Sequence, residues 1–153
     1  MTERDIPAVV APPPLIYAAG FGAGLLLEHW FPHPVLPAHW VRLLAQVLFA
    51  VGLLGAAAVV AFRKAGTSPN PYRPVSQLVT GGIYRLTRNP MYVGFTLWYL
   101  AAACWANSLW PFLFLPIVLL IMLYGVILRE ERYLDRRFGD EYRAYQQRVR
   151  RWL

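Results

Sequence analysis

The chain has 153 residues and a formal net charge of +7, but only 15% of its residues are charged and 58% are hydrophobic. A soluble domain has about 25% charged residues, and a chain of this size has a small interior in which to bury long apolar segments. These proportions argue against a soluble monomer. The aromatic content of 15% excludes intrinsic disorder, and the single cysteine, Cys104, excludes a disulfide scaffold.

Three charge-free segments predict four membrane-spanning helices. Asp, Glu, Lys and Arg are absent from residues 6–27, 43–62 and 89–128, and one spanning helix needs about 20 mostly apolar residues. The third segment is long enough for two spans, which form a helical hairpin if the chain reverses at Asn107 and Ser108. We therefore predict an all-α integral membrane protein that consists of one domain. The predicted spans are approximately residues 14–31, 41–62, 90–106 and 109–128.

The distribution of basic residues predicts the orientation in the membrane. Arg42 is the only one of the 15 Lys and Arg residues on the side of the hairpin tips. The others precede the first span, lie in the loop 63–89 or follow the fourth span, and the positive-inside rule makes that side cytoplasmic. Both termini are then cytoplasmic. Because the basic residues flank apolar spans, they favour anionic lipid headgroups over nucleic acid as partners. The sequence does not indicate an oligomeric state.

The densest polar cluster lies at the start of the third predicted span. Asn89 followed by Pro90 predicts a helix N-cap and a first helical residue. Free N–H groups at such a helix start, with Arg88 beside them, can bind a carboxylate or phosphate. Tyr84 and Tyr92 offer flat faces for a ring or a cation. The alternative interpretation is an ordinary helix start with Tyr and Arg anchors at the membrane interface.

A second polar cluster, Glu130-Glu131, follows the fourth predicted span. Adjacent helical residues point about 100° apart, so we expect only one of the two glutamates to face a given pocket. The helix dipole disfavours an anion at a helix C-terminus, and this favours a functional role. If the helix continues, however, the pair is an ordinary solvated charge run. The spacing leaves the choice between Glu130 and Glu131 open.

The tail after Glu131 predicts an amphipathic C-terminal helix at the cytoplasmic face, within residues 129–153. Its apolar residues recur every three or four positions: Leu134, Phe138, Tyr142, Tyr145, Val149 and Trp152. Gly139 could instead divide this helix in two, with Asp140 capping the second part. The three histidines, His29, His33 and His39, do not show a metal-ligand spacing on one helix face, so we predict no metal site.

At these clusters the sequence resembles a known family. The resemblance rests on LVTGGIY at 78–84, RNPMYVG at 88–94, the Glu130-Glu131 pair, and FGDEY at 138–142 followed by Tyr145. In this order the segments are similar to the isoprenylcysteine carboxyl methyltransferase and phospholipid methyltransferase family. Its members are small integral-membrane enzymes that use S-adenosylmethionine. The resemblance covers about residues 63–153.

The resemblance implies a pocket for S-adenosylmethionine at the cytoplasmic ends of the last spans, under the C-terminal helix. The residues that it implies for cofactor binding are Gln77, Leu78, Val79, Tyr84, Asn89, Pro90, Met91, Tyr92 and Glu130. Arg88 joins them because it suits the methionine carboxylate, whereas Glu130 suits the ammonium group. Many members of the family have His where this chain has Asn89, which cannot titrate near neutral pH. We therefore assign no catalytic residue.

The functional hypothesis is a membrane methyltransferase that acts on a lipid or lipid-linked acceptor, and carboxyl O-methylation and amine N-methylation both stay open. One alternative is an NADPH-dependent membrane reductase, because sterol reductases are similar in this C-terminal region. Another alternative is a non-catalytic membrane protein whose polar loop binds a partner or a lipid headgroup.

Overall fold

Seven α-helices make up most of the chain in the computed structural model, which describes residues 6–68, 70 and 72–153. They are α1 (Pro13–Trp30), α2 (Ala38–Gly52), α3 (Leu54–Lys64), α4 (Pro90–Ala106), α5 (Leu109–Met122), α6 (Leu128–Phe138) and α7 (Asp140–Arg148). A 3₁₀ turn, Gly82–Arg85, precedes α4, and a π turn, Leu123–Ile127, joins α5 to α6. No β-strand occurs within the described ranges, and the all-α prediction is confirmed.

Two stretches of helix are long and apolar enough to cross a membrane by length and composition: His39–Lys64 and Leu109–Phe138. In these stretches 17% and 33% of the most apolar part is buried inside the protein. Apolar helix surface that the protein itself does not cover suits a hydrocarbon environment. Helices α1 and α4 do not pass the same test of length and hydropathy, so the count of four spans stays a prediction.

Helix α1 packs antiparallel against α5. Gly24, near the end of α1, lies against Pro111 at the start of α5, and Gly20, one turn earlier, lies against Val118. A Cβ atom at Gly24 would approach the backbone nitrogen of Pro111 to 2.7 Å, so the small residue lets the two backbones meet. The antiparallel contact extends beyond the two helices: Val10, which precedes α1, lies against Gly125, which follows α5.

The predicted second span is a helix with a break that the sequence pattern did not predict. Helix α2 ends at Gly52, α3 begins at Leu54, and both pack antiparallel against α4. The indole Nε1 of Trp98 in α4 donates to the carbonyl oxygen of Phe49 at 3.2 Å, and the N–H of Leu53 donates to the same oxygen. A side chain that competes for a helical carbonyl is a recognised cause of a kink.

The tip between α4 and α5 lies where it was predicted. Helix α4 ends at Ala106, Asn107 adopts a left-handed conformation with φ 48°, and α5 begins at Leu109. The amide oxygen of Asn107 accepts from the backbone N–H groups of Val35 and Leu36 in the first tip, at 3.1 and 3.3 Å. The two tips are therefore joined at one end of the helices.

The C-terminal region is not one amphipathic helix over 129–153. Helix α6 continues from α5 through the π turn and ends at Phe138, and Gly139, with φ 52°, separates it from α7. Division at Gly139 was the alternative that the sequence left open. Gly139 is the N-cap of α7, so Asp140 is its first residue and not its cap; the Asp140 carboxylate accepts from Arg143 Nη1 at 3.3 Å. After Arg148 the chain continues without helix to Leu153.

Candidate functional site

One cleft lies at the end of the helices opposite the tips. Its walls are the loop between α3 and α4, the first turn of α4, helix α6 and helix α7, and its free volume is about 100 Å³. Nine of the ten residues predicted to bind a cofactor line it: Gln77, Leu78, Val79, Tyr84, Arg88, Asn89, Met91, Tyr92 and Glu130. Pro90, the tenth, is buried away from the cleft, and its carbonyl oxygen lies close to Gly55 of α3.

Sequence analysis did not assign several other residues that line the cleft. They are Pro7, Phe62, Ser68, Asn70, Val75, Ile127, Tyr133, Leu134, Tyr142 and Tyr145, together with Glu131, which was the alternative to Glu130. Tyr142 and Tyr145 belong to the apolar residues that recur every three or four positions in the tail, so the sequence pattern could have indicated that they face the rest of the protein. Pro7 lies outside every motif in the sequence, and only the fold brings it to the cleft.

Glu130 and Tyr92 form a short hydrogen-bonded pair inside the cleft. The Tyr92 hydroxyl lies 2.7 and 2.8 Å from the two carboxylate oxygens of Glu130. Glu130 lies in the first turn of α6, two residues after Leu128. Burial raises its pKa to about 7, against the opposing effect of the Tyr92 hydrogen bond, and the negative charge of Glu131 adds to the increase. The carboxylate therefore titrates near neutral pH.

Glu131 has two cationic partners, Arg88 and Arg151. Arg88 Nη1 lies 3.2 Å from Glu131 Oε1, and Arg151 donates through Nε and Nη2 to the two carboxylate oxygens at 2.9 and 2.8 Å. The Arg88 and Glu131 side chains are only 11% and 12% exposed. One carboxylate and two guanidinium groups leave a net positive charge. In addition, the buried Nε of Arg88 makes no hydrogen bond within the described part of the chain.

Asn89 and Pro90 occupy the predicted N-cap and first position of α4, but the Asn89 side chain does not cap the helix. Its amide nitrogen donates instead to the carbonyl oxygen of Arg151 at 3.0 Å, as does the Thr87 hydroxyl at the same distance. The N–H of Arg88 donates to the carbonyl oxygen of Arg150 at 2.9 Å. The segment after α7 is therefore hydrogen-bonded to the residues at the start of α4.

Tyr84 brings a buried hydroxyl group to the cleft. Its carbonyl oxygen accepts from the Tyr145 hydroxyl at 2.7 Å, and its ring meets the Phe62 ring edge to face at 5.6 Å between centroids. Burial, with Tyr145 and Glu130 nearby, raises the pKa of Tyr84. Its own hydroxyl finds no hydrogen-bond partner among the residues that the structure describes. A buried polar group without a partner is uncommon, and this hydroxyl is available to bind a further group in the cleft.

The histidines and Cys104 lie away from this cleft. Glu28, beside His29, accepts from the Ser108 hydroxyl at 2.6 Å and from the backbone N–H of His33, so it serves the joined tips. In the described ranges, no three His, Cys, Asp or Glu side chains are grouped so that they could hold a metal ion. Cys104 is buried in α4.

Parts of the chain are similar to known proteins. The chain is similar to an uncharacterized protein of Haemophilus influenzae, with 44% identity over 63 residues, which are 41% of this chain and all of that protein. It is also similar to protein-S-isoprenylcysteine O-methyltransferase of Schizosaccharomyces pombe, with 39% identity over 72 residues. These are 47% of this chain but only 30% of the yeast protein, so most of that enzyme has no counterpart in the match. No solved structure matches the chain.

The match to a whole family is broader than either pairwise similarity. Residues 40–141 match the phospholipid methyltransferase family, and this range runs from the start of α2 to the start of α7. It contains every residue that was predicted to bind the cofactor, and it covers about two thirds of the 153 residues. The chain belongs to the phospholipid methyltransferase family.

Proposed function

We propose that this protein is an integral-membrane methyltransferase that uses S-adenosylmethionine and acts on a lipid or lipid-linked acceptor. The observation that carries the proposal is the placement of Glu130 in the cleft, with Tyr92 as its neutral partner. A buried carboxylate that has no cationic partner of its own is a favourable site for a cationic ligand. The family match and the two apolar helical stretches support methyl transfer at a membrane.

The polar groups of the cleft fit the parts of S-adenosylmethionine. Glu130 offers a negative charge for the ammonium group, and Arg88 offers an unpartnered buried N–H for the methionine carboxylate. Tyr84 offers an unpartnered hydroxyl, and Leu78 and Val79 offer apolar surface for the adenine ring. Each buried group without a partner would gain a hydrogen bond when the cofactor binds. Such bonds contribute most to the binding free energy, because the buried group is otherwise left unsatisfied.

When bound, this cofactor supplies a methyl group that is already activated on a sulfonium. The protein then needs chiefly to align the acceptor and to exclude water. Glu130, with its partner Tyr92, would hold the ammonium end of the cofactor, and Arg88, which pairs with Glu131, would hold its carboxylate. A carboxylate acceptor requires no base, whereas an amine acceptor would have to lose a proton. For this reason no catalytic acid or base is assigned.

The cleft must widen to admit a molecule of this size. Its free volume of about 100 Å³ is below the approximately 300–1,000 Å³ of small-molecule pockets. The part of the α3–α4 loop that contains Val75 forms one wall of the cleft and is bonded to α6. The N–H of Val75 donates to the Tyr133 hydroxyl at 3.1 Å, and Arg137 donates to the carbonyl oxygen of Val75. We expect this loop to move outward when the cofactor enters.

Ligand binding by the purified full chain tests the proposal. In lipid nanodiscs, S-adenosylhomocysteine should bind saturably in isothermal titration calorimetry. Glu130→Gln should weaken binding at least tenfold, because an ion pair is replaced by a neutral contact. Glu141→Gln, which changes an exposed glutamate of α7, should have no effect. Binding of NADPH instead would support the reductase alternative, and binding of neither molecule would support a non-catalytic membrane protein.

The acceptor is tested separately. Incubation with radiolabelled S-adenosylmethionine and a lipid extract should transfer label to an organic-soluble product. Label that alkali releases as volatile methanol indicates a carboxyl methyl ester, and label that stays non-volatile after alkali indicates an N-methyl amine. No transfer to any lipid would contradict a lipid acceptor, although cofactor binding could still hold.

A further inference from the structure

The N-terminal residues of the chain contact the cleft although they lie outside the family-matched range 40–141. We name residues 6–10 the N-terminal strap. Within it, Pro7 lines the cleft, the carbonyl oxygen of Ala8 accepts from Arg129 Nη1 at 2.7 Å, and the N–H of Val10 donates to the carbonyl oxygen of Gly125 at 3.1 Å. The strap is therefore bonded to the residue that precedes Glu130 and to the π turn before it.

The π turn decides which way Glu130 faces. It contains residues Leu123–Ile127, and Glu130 follows three residues later. A π turn inserts one extra residue into the helix, and one residue corresponds to about 100° of rotation. If this turn relaxed to regular α-helix, α6 would rotate by about that angle, and Glu130 would leave Tyr92. Contacts that stabilise the turn therefore hold the site together.

Gly125 allows the strap to approach the turn closely. A Cβ atom at this position would lie 2.6 Å from a methyl carbon of Val10, which is too close for an undisturbed contact. Gly125 is buried, and its carbonyl oxygen is the acceptor for the strap. The only glycine of the π turn is thus the residue against which Val10 packs.

Helix α1 contacts the other member of the pair, Tyr92. The Thr96 hydroxyl donates to the carbonyl oxygen of Tyr92 at 2.8 Å, and the Tyr17 hydroxyl lies 2.8 Å from Thr96 Oγ1. The Tyr17 hydroxyl also donates to the carbonyl oxygen of Tyr92 at 3.3 Å, so Tyr17 contacts the Tyr92 backbone both directly and beside Thr96. Tyr17 comes from the N-terminal part of the chain, as the strap does.

We infer that the N-terminal strap and Tyr17 position the Tyr92–Glu130 pair, and that Arg129 is the positioning residue that couples the strap to Glu130. The inference rests on the proposed function, because it assigns the strap to the same ligand site. It gives a role to residues that lie before the family-matched range. Pro7 adds a wall to the cleft, and Arg129 and Gly125 fix the helix on which Glu130 lies.

A double-mutant cycle tests the coupling. Arg129→Leu removes the bond to Ala8 and should weaken S-adenosylhomocysteine binding about tenfold, as expected for a charge-assisted hydrogen bond. In a Glu130→Gln background the same change should cause no further loss, because the strap acts through Glu130. Equal losses in both backgrounds would show a general structural effect and would overturn the inference.

Two further variants complete the binding test. Arg132→Leu is the matched control, because it removes the same charge about one helical turn away. In the structure the Arg132 Nε donates to the carbonyl oxygen of Leu128, in its own helix. This variant should leave binding unchanged. Arg129→Lys keeps a positively charged donor at this position. Its binding should therefore be weakened by no more than half as much as in Arg129→Leu, when both losses are compared as the logarithm of the affinity. A loss in Arg132→Leu as large as that in Arg129→Leu would overturn the inference.

A ligand-free measurement separates the strap from the proposed function. Hydrogen exchange of the Val10 amide should be slow in the wild type and in Arg132→Leu, and at least tenfold faster in Arg129→Leu. If the wild type binds no S-adenosylhomocysteine but Val10 is protected in this way, the proposed function fails and the strap stands. If Val10 exchanges in the wild type as fast as an unstructured amide, the strap is overturned whatever the ligand result.

Discussion

Glu130 and Glu131 are neighbours in the sequence, but the fold gives them different partners. Glu130 accepts from the neutral hydroxyl of Tyr92, and Glu131 is bound by Arg88 and Arg151. The first arrangement leaves a negative charge for a ligand, and the second neutralises the charge within the protein. This contrast favours Glu130 as the carboxylate that binds a cation, and it gives Glu131 a structural role.

Ligand binding should depend on pH through Glu130. Its pKa is raised from 4.5 to about 7 without ligand, and a cationic ligand prefers the ionised form. Affinity for S-adenosylhomocysteine should therefore be constant above pH 7 and fall as the pH drops through 7, by at most tenfold per pH unit. Calorimetric titrations between pH 5.5 and 8.5 measure this slope. A slope that persists in Glu130→Gln would assign the titration to another group.

Glu131→Gln should destabilise the fold by about 3 kcal/mol, because it leaves the buried Arg88 without a counter-charge. Denaturant unfolding followed by circular dichroism measures the change in the free energy of unfolding. Asp135→Asn is the matched control, because it breaks an exposed pair with Arg143 and should have little effect. Replacing Arg88 by Met in the Glu131→Gln background should recover part of the loss; a further loss of stability would contradict this account.

At the scale of elements, the helices approach each other through small residues. Gly55 of α3 and Gly94 of α4 meet where a Cβ atom at Gly94 would lie 2.9 Å from the Gly55 Cα atom. Gly94 is only two residues beyond Tyr92, and the first turn of α4 forms a wall of the cleft. The close contact of α3 with α4 therefore positions one side of the site.

Gly94→Ala should destabilise the protein by about 1–3 kcal/mol, because two backbones would have to separate. The same substitution at Gly22 in α1, where an added Cβ atom meets nothing within 4 Å, should be neutral or slightly stabilising. Thermal unfolding of both variants gives the comparison. Equal stability of the two variants would show that the α3–α4 contact tolerates a wider spacing.

At the scale of the whole molecule, the two ends of the helix bundle have different chemistry. The tip end contains Asn107 and the Glu28–Ser108 bond, and the other end contains the cleft, its arginines and the N-terminal strap. Helices that run antiparallel with short tips bring residues 7, 88, 130 and 151 to one end. The predicted cytoplasmic position of this end follows from its positive charge.

Thiol labelling tests this orientation. Pro34→Cys lies at the exposed first tip, Ser76→Cys lies in the exposed loop beside the cleft, and the native Cys104 is buried. In intact cells a membrane-impermeant maleimide should label Pro34→Cys, and Ser76→Cys should react only after permeabilisation. The opposite pattern would reverse the topology, and labelling of both in intact cells would contradict a spanning arrangement.

The sequence alone determined the all-helical class, the start of α4 after Asn89 and the tip at Asn107. These features depend on local properties. The backbone hydrogen bonds of an apolar helix form within the helix itself, and Pro directly after an N-cap residue favours a helix start whatever the rest of the fold is. Family resemblance supplied the cluster from Gln77 to Tyr92, which is short enough in sequence to stay together in the fold.

Only the tertiary structure decided the break at Leu53, the π turn, the different partners of Glu130 and Glu131, and the strap over Gly125. Each depends on residues far apart in the chain, such as Trp98 with Phe49, Arg151 with Glu131, and Ala8 with Arg129. Helical periodicity indicates which residues share a face, but it does not reveal what packs against that face. A site built from these long-range contacts is therefore outside the reach of local sequence rules.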